Sequence, residues 1–199
     1  MIKLYDVNLS GNCHKVRLML SLLGLEYERV PVALNKDEHK TEEFLKLNPF
    51  GQVPVLRDGD VVIRDAQAIL VYLARRYGGE DWLPTEAEPM SKVMQWLSTA
   101  ANEIQHGVAA ARLHFFLFNA KIDLELALQK AHQTLQILDN HLSECSWLEC
   151  NSPTIADVAC FPYVALAPDG KIFLETYPHV MAWIERIKQL PGYVGMPGL

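Results

Sequence analysis

Apolar residues in the first part of the chain alternate in some short runs and recur at helical spacing in others. The run IKLY near the N-terminus alternates and predicts a strand, and the helix after it ends at Gly24. A strand at YERVPV, a short helix at TEEFLKL and a hairpin made of VPVL and VVI follow. The next helix has an apolar face formed by Ala66, Ile69, Leu70, Leu73 and Tyr77. The order βαβ, α, ββα predicts an α/β unit.

Pro54 stands between Val53 and Val55, where an ordinary strand would need a backbone N–H. We therefore expect the strand to begin after Pro54 and to turn at the Asp58-Gly59 pair. A cis Val53–Pro54 bond would turn the Val53 backbone outward, so that its N–H and C=O pair with a peptide-like ligand. The alternative is a trans proline at a strand start, which is the commoner isomer.

The remainder of the chain predicts helices. Residues 79–88 lack periodicity and predict a linker. Farther on, apolar residues repeat at steps of four and three along one stripe: Leu124, Leu128, Ala131, Leu135, Leu138 and Leu142. The stripe barely reaches three heptads, which favours packing in a helical bundle over a coiled-coil seam. Thr154, with Asp157 three positions later, predicts a capping box at the start of a buried helix.

The element order and the run EHKTEEFLKLNPFGQVPVL resemble the glutathione-binding domain of cytosolic glutathione transferases, especially the phi class and related bacterial enzymes. The capping box and the segment YPHVMAWIERIKQLPGY are similar to the all-helical second domain of that family. The resemblance implies a thioredoxin-like domain over 1–78, a linker over 79–88 and an all-helical domain over 89–199. It also implies a homodimer, in which the first domain of one subunit meets the helical domain of the other.

Composition excludes several other classes of protein. The formal net charge of −6 and the scattered basic residues give no footprint for nucleic acid. No apolar stretch approaches the roughly 20 residues that span a bilayer, and there is no signal-peptide pattern. The four cysteines lack CxxC spacing and a paired histidine motif, so we expect no metal site. We expect a cytoplasmic protein with reduced thiols that binds neither nucleic acid nor membrane.

Ser10 is the candidate for activating a glutathione thiol. Such a thiol has a pKa near 8.5, and lowering it by about two units requires about 2.7 kcal/mol. One hydrogen bond to a charged group supplies about 1.5–3 kcal/mol, and a helix N-terminus adds roughly 0.3–1. The resemblance assigns the first role to Ser10 and lets Asn12 share it. Without the resemblance, a plain helix cap would be the better interpretation of both residues.

Tyr5 and Cys13 are the competing candidates, because other transferase classes use a tyrosine or a cysteine near this loop. Tyr5 comes several residues too early, and Cys13 already lies in the predicted helix. A helix N-terminus would lower the pKa of Cys13, although a structural thiol is the simpler expectation.

The resemblance also places the rest of glutathione, which serves as co-substrate with no separate cofactor. It implies that His39 and Lys40 approach the glycine carboxylate, although EHKTEE alone reads as a solvated loop. The cysteinyl unit would then lie against Gln52, Val53 and Pro54.

The γ-glutamyl end would lie at a helix N-terminus, beside Asp65 and Ala66. Here the chain departs from the family, which usually has a serine where this chain has Ala66. One charge-assisted hydrogen bond is missing, so glutathione affinity should be lower by about one to two decades.

A pocket for a small hydrophobic electrophile is expected between the domains. We place Leu9 from the first loop there, together with one face of a long helix near 90–118: His106, Ala110 and Leu113. Arg112 would either orient an anionic substrate or form a salt bridge.

Three functions remain open at this point. The first is conjugation of glutathione to the electrophile. The second, similar to the nu class, is reduction of a peroxide or disulfide by glutathione. The third is a non-catalytic stress or interaction protein on the same scaffold. The presence of SGN, EHK and QVP together argues against the third, since an interaction surface does not need all of them.

Overall fold

The structure is a computed structural model that describes residues 1–116 and 121–199. Its first part is a four-stranded sheet with three α-helices. In chain order the elements are β1 (Ile2–Asp6), α1 (Gly11–Leu22), β2 (Tyr27–Pro31), α2 (Glu42–Leu47), β3 (Val55–Asp58), β4 (Val61–Arg64) and α3 (Ala66–Leu73). Short 3₁₀ turns at Leu34–Lys36 and Glu38–Lys40 connect β2 to α2.

The strands lie in the order β2-β1-β3-β4. Strand β1 pairs in parallel with β2, and in antiparallel fashion with β3, which also pairs antiparallel with β4. This mixed sheet confirms the predicted thioredoxin-like order. Helix α1 ends as its sequence predicts, because Gly24 takes a φ of 64° and its N–H donates to Ser21 O at 3.0 Å.

Pro54 precedes β3, and the Val53–Pro54 peptide is cis, as predicted. One prediction for the first part is wrong. Tyr77 does not share the buried face of α3; its side chain is 39% exposed and its hydroxyl bonds to Asp58. The chain widens into a π turn over Ala74–Gly78, so the position four residues after Leu73 no longer faces the core.

The second part is helical. Its elements are α4 (Ala87–Ala101), α5 (Ala110–Phe116), α6 (Leu124–Leu142), α7 (Ile155–Ala165) and α8 (Pro178–Lys188). The long helix expected near 90–118 is interrupted at Asn102, the C-cap of α4, and widens into a π turn over Gln105–Ala109. Positions 117 and 118 of that prediction lie outside the described residues. No described helix is long and apolar enough to cross a membrane.

Helix α6 carries the predicted stripe. Ala131, Leu135, Leu138 and Leu142 are buried, and Leu124 and Leu128 pack partly buried against the same core. Helix α7 starts with the predicted capping box and contacts α1, α3, α4 and α8. One continuous hydrophobic cluster therefore joins the sheet part and the helical part, and the loops around the N-terminus of α1 lie where the two meet.

Candidate functional site

A cavity of about 480 Å³ opens between the loops of the sheet part and the end of α4. It brings together five residues that the sequence predicts as site residues: Asn12, His39, Gln52, Val53 and Asp65. A smaller pocket of about 80 Å³ shares four of these and adds Pro54 and Ala66. A larger groove of about 640 Å³ lies elsewhere, against α4 and α6, and none of the predicted site residues lines it.

The N-terminus of α1 places Ser10 and Asn12 differently. Ser10 is the N-cap, and its Oγ accepts a hydrogen bond from the Cys13 N–H at 3.2 Å. That bond uses an acceptor position and leaves the hydroxyl proton available to donate. Ser10 does not line the cavity, whereas the partly buried Asn12 lines both the cavity and the smaller pocket.

The Asn12 side chain forms few hydrogen bonds with its protein neighbours. Its Nδ2 approaches Gln105 Oε1 at 3.5 Å, which is the long limit for a hydrogen bond. Its Oδ1 is buried and has no hydrogen-bond partner among the described residues. A buried polar atom without a partner is costly, so a ligand that bonds to this side chain would remove the cost.

Cys13 is unsuited to act as a nucleophile. The thiol is fully buried, and burial raises its pKa to about 12, although a hydrogen bond from the Val7 N–H opposes the rise. The possible lowering of this pKa by the helix N-terminus is therefore wrong, because desolvation outweighs it. Tyr5 is also separate from the site: its ring packs edge-on against Phe44 at 6.1 Å, and it does not line the cavity.

The two basic residues of the EHK segment have separate surroundings. His39 lines the cavity. Lys40 does not, because its Nζ forms an exposed ion pair with Asp37 at 2.8 Å. Lys40 would have to leave this pair to reach a ligand carboxylate, which costs little at an exposed site.

Val53 lines the cavity, and its backbone polar groups are not used by the fold. Strand pairing of β3 starts at Val55, and within 1–116 and 121–199 no hydrogen bond uses the N–H or C=O of Val53. The neighbouring Gln52 is held by its carbonyl, which accepts from Asn48 Nδ2 at 2.7 Å. Val53 can therefore pair with an extended peptide as an added strand would.

Asp65 begins α3 in an unusual conformation. Its φ of 72° is rare for a residue other than glycine and costs of order 1–3 kcal/mol. One carboxylate oxygen accepts the N–H groups of Gln67 and Ala68 at 2.9 and 3.1 Å. The other oxygen has no hydrogen-bond partner in the described part of the chain, so it can accept from a ligand ammonium.

The residues predicted for the electrophile pocket do not line the cavity beside Asn12. Leu9 and Leu113 are 46% and 42% exposed, and Ala110 is partly buried. The ring of His106 bonds to the Asn102 carbonyl at 2.9 Å.

Sequence reasoning missed the residues of the helical part that do line the cavity, Ala101 and Gln105, and also Leu34, Gly51 and Gln67 of the first part. Gly51 and Gln67 have a local signal, since each is next to a predicted site residue.

Arg112 forms a salt bridge, which is one of the two roles predicted for it. Its side chain is buried, and its Nε donates to Asp169 Oδ2 at 2.9 Å. Its Nη1 donates to the Leu9 carbonyl at 3.1 Å, a contact that links the helical part to the first loop. Within the described residues no cluster of three or more His, Cys, Asp or Glu is arranged to hold a metal ion.

Comparison with known proteins gives two family matches. Residues 9–76 match the glutathione S-transferase N-terminal domain, and residues 90–191 match the glutathione S-transferase C-terminal domain. The chain is 34% identical to glutathione S-transferase 3 of Zea mays, over 96% of this chain and 91% of that protein.

Solved structures agree with the sequence matches. A glutathione S-transferase from Xanthobacter autotrophicus Py2 superposes with a TM-score of 0.92 at 32% identity, covering 100% of this chain and 98% of that one. A glutathione S-transferase from Pseudomonas fluorescens gives the same TM-score of 0.92 and 32% identity, with 98% of each chain covered.

Proposed function

The chain belongs to the glutathione S-transferase family and is a glutathione transferase, and from this premise we propose how its cavity binds and activates glutathione. Glutathione is the co-substrate of this family. The observation that carries the proposal is the convergence of Asn12, His39, Gln52, Val53 and Asp65 on one cavity. Several of their polar atoms lack partners within the described residues, which is what a polar peptide ligand requires.

The γ-glutamyl end of glutathione binds at the N-terminus of α3. The unpaired oxygen of Asp65 accepts from the ligand ammonium, and the Ala66 N–H donates to the ligand carboxylate. The cysteinyl unit pairs with the Val53 N–H and C=O beside Pro54. Gln52 also lies beside the cysteinyl unit, and the glycine carboxylate lies toward His39, with Lys40 as a further cation at the edge.

The thiol then lies at the N-terminus of α1, where two donors are available. Asn12 offers Nδ2 inside the cavity, and Ser10 offers its hydroxyl proton from the N-cap. A bond to the thiolate contributes about 1.5–3 kcal/mol, enough to lower the thiol pKa by about one to two units. Ser10 stays a prediction as the principal donor; its position outside the cavity lining makes Asn12 the first residue to test.

The reaction transfers the thiolate sulfur to an electrophilic carbon. The thiol proton passes to solvent, the sulfur–carbon bond forms, and the electron pair leaves with the departing group or enters the acceptor's π bond. We propose a small hydrophobic electrophile, because Leu9, Leu113 and Phe116 are exposed apolar side chains close to the first loop or on α5. Such a reaction serves detoxification, and we propose a cytoplasmic enzyme.

We also propose a homodimer. Exposed apolar side chains lie on both parts: Phe50, Val61 and Val62 in the first, Met94 and Ile137 in the second. The groove of about 640 Å³ against α4 and α6 includes Trp96 and Ile137 and offers a recess for a partner's side chains. Sedimentation equilibrium at micromolar concentration tests this, and a monomer mass would contradict it.

The decisive experiment is a titration of glutathione while the ultraviolet difference absorbance of the thiolate is recorded across pH. We expect a saturable signal with a bound-thiol pKa well below about 8.5. S-methylglutathione is the matched control, since it should compete for the cavity without giving a thiolate signal. No saturable signal at millimolar glutathione would contradict the proposed site. A product assay then separates conjugation, which gives a thioether, from reduction, which gives oxidised glutathione; the comparisons favour conjugation.

A further inference from the structure

The first loop, Leu9–Asn12, is held from outside its own part of the molecule. Arg112 of α5 reaches across and donates from Nη1 to the Leu9 carbonyl at 3.1 Å. The same guanidinium is anchored through Nε to Asp169 at 2.9 Å, and the whole residue is only 7% exposed. Because the guanidinium is planar and has two fixed partners, it defines where the Leu9 carbonyl lies.

A second contact comes from Tyr163 of α7. A Cβ atom built on Gly11 would stand 2.7 Å from Cε1 and 2.8 Å from Cζ of the Tyr163 ring, so the ring occupies the space of a side chain there. Burial raises the pKa of the Tyr163 phenol, so the phenol is neutral near pH 7. The neutral ring therefore packs directly under Gly11, next to the residue that lines the cavity.

We propose that Arg112 and Tyr163 are positioning residues, which fix the Leu9 carbonyl and the backbone of Gly11 so that the thiol donors of the loop keep their geometry. This inference rests on the proposed function. Neither side chain touches glutathione in that scheme; each acts through the loop. A misplacement of about 1 Å in a catalytic group can cost about 100-fold in rate, so loosening the loop should be visible in turnover.

The competing interpretation is that both residues only hold the two parts of the chain together. In that case their substitution would lower stability but leave the properties of the bound thiol unchanged. The test must therefore measure the thiol as well as the fold.

Arg186 of α8 supplies a matched control. Its Nη1 donates to the carbonyl of Ser146, a loop residue, and its guanidinium lies over the Trp147 ring at 5.6 Å. Like Arg112, it fixes a loop carbonyl and stacks on an aromatic ring, since Arg112 lies over Phe116 at 4.3 Å. Among the described residues, no hydrogen bond or ion pair joins Arg186 to the Leu9–Asn12 loop.

The experiment compares Arg112→Lys, Tyr163→Leu and Arg186→Lys with the wild type. For each we would measure kcat, KM, the pKa of bound glutathione and amide exchange across residues 7–14 without glutathione. We expect Arg112→Lys to lower kcat about tenfold, with a higher bound-thiol pKa, a small change in KM and faster exchange in the loop. Tyr163→Leu removes the ring from beneath Gly11 and should show about a two- to fivefold loss in kcat. Arg186→Lys should match the wild type in all four measurements.

If Arg112→Lys also matches the wild type in kcat, bound-thiol pKa and loop exchange, the positioning role is wrong. If Arg112→Lys does not fold, Asp169→Asn replaces it, because that variant frees the guanidinium but retains the bond to Leu9. If the wild type itself gives no thiolate signal, the proposed function fails separately. Amide exchange across residues 7–14 then tests the inference by itself. Faster exchange in Arg112→Lys but not in Arg186→Lys supports the inference, and exchange equal to that of the wild type in both variants overturns it.

Discussion

Two helices of this enzyme begin with short polar segments, yet the two segments are satisfied to different degrees. At the start of α7, Asp157 accepts hydrogen bonds from the Thr154 N–H at 2.9 Å, the Leu148 N–H at 3.0 Å and Trp183 Nε1 at 2.9 Å. At the start of α1, Ser10 Oγ accepts only from the Cys13 N–H, and Asn12 Oδ1 has no partner in the described part of the chain.

This difference separates a structural helix start from one that can bind. The start of α7 uses its acceptors on the protein itself, so it can only stabilise the fold. The start of α1 gives up part of that stability and leaves polar atoms for a ligand. Both segments look like ordinary caps in the sequence; their roles differ because their surroundings differ.

The largest effect should come from breaking the start of α7. Asp157→Ala leaves the N–H donors of Thr154, Leu148 and Trp183 and the Thr154 hydroxyl without this acceptor, so we expect the free energy of unfolding to fall by about 3–5 kcal/mol. Urea unfolding measures this. Asp123→Ala is the control, because Asp123 caps α6 through one bond, to the Leu126 N–H at 3.1 Å, and should cost about 1 kcal/mol. Equal losses in the two variants would mean that the start of α7 is not unusually important.

The next largest effect concerns Lys15, one turn into α1. Its ammonium group is fully buried, has no hydrogen-bond partner among the described residues and lies 5.3 Å from the Tyr163 ring. Burial lowers its pKa to about 8, against the opposing influence of Cys160 and Asp65. Between about pH 8 and 10.5 the unfolded chain binds a proton that the folded protein does not, so this residue makes stability rise with pH in that window.

Lys15→Met should therefore be more stable than the wild type at pH 7. Its advantage should shrink by up to about 3 kcal/mol as the pH rises to about 10.5, as measured by urea unfolding of both proteins. Other groups titrate in both proteins and cancel in the difference. Lys3→Met, at an exposed ion pair with Glu28, should show no such trend. An advantage that stays constant with pH would show that the pKa of Lys15 is not lowered in the folded protein.

Lys15 illustrates which features the sequence could and could not predict. The strand and helix order, the cis bond before Pro54 and the capping box at Thr154 were all predictable, because each depends on residues close together in the chain. The burial of Lys15 and the bond from Arg112 to Leu9 were not. These depend on how α5 and α7 pack against α1, and apolar spacing gives the buried face of a helix but not its partner.

The same limit applies to the candidate site. The loops that carry His39, Gln52 and Asp65 were found from the resemblance, and the structure gathers them on one cavity. Gln105 was missed although it approaches Asn12, because 93 residues separate the two in the chain.

A third prediction tests the start of α1 directly. Asn12→Ala should lower kcat/KM by about 10- to 100-fold with little change in stability, because it removes a donor to the thiolate. Ser10→Ala should lower kcat/KM and also cost about 1 kcal/mol of stability, since Ser10 is the cap. Thr154→Ala is the control at the start of α7 and should affect stability only. If Asn12→Ala retains full activity and Ser10→Ala does not, the hydroxyl is the donor and the cavity must reach it when glutathione binds.

The smallest effect is expected at α3, whose start is intermediate between the other two. Asp65 uses one oxygen on the helix and leaves the other free, and Ala66 offers only its N–H. Ala66→Ser adds a hydroxyl donor for the γ-glutamyl carboxylate and should tighten the glutathione Kd about tenfold, with kcat nearly unchanged. Isothermal titration measures this. Ala68→Ser, two residues farther along and outside the cavity lining, is the control. An unchanged or weaker Kd for Ala66→Ser would contradict the placement of the γ-glutamyl end.

The contact between Gly11 and Tyr163 has a consequence for how such an enzyme can be recombined. The ring of Tyr163 fills the space that a side chain at position 11 would need, although the two residues come from different parts of the chain. A chimera that joins this first part to a relative's helical part would inherit only one half of that fit. A smaller side chain at position 163 would leave a void beneath the loop. A larger residue at position 11 would clash with the ring and displace the loop. The two parts can therefore be exchanged between relatives only when residues 11 and 163 come from the same parent protein.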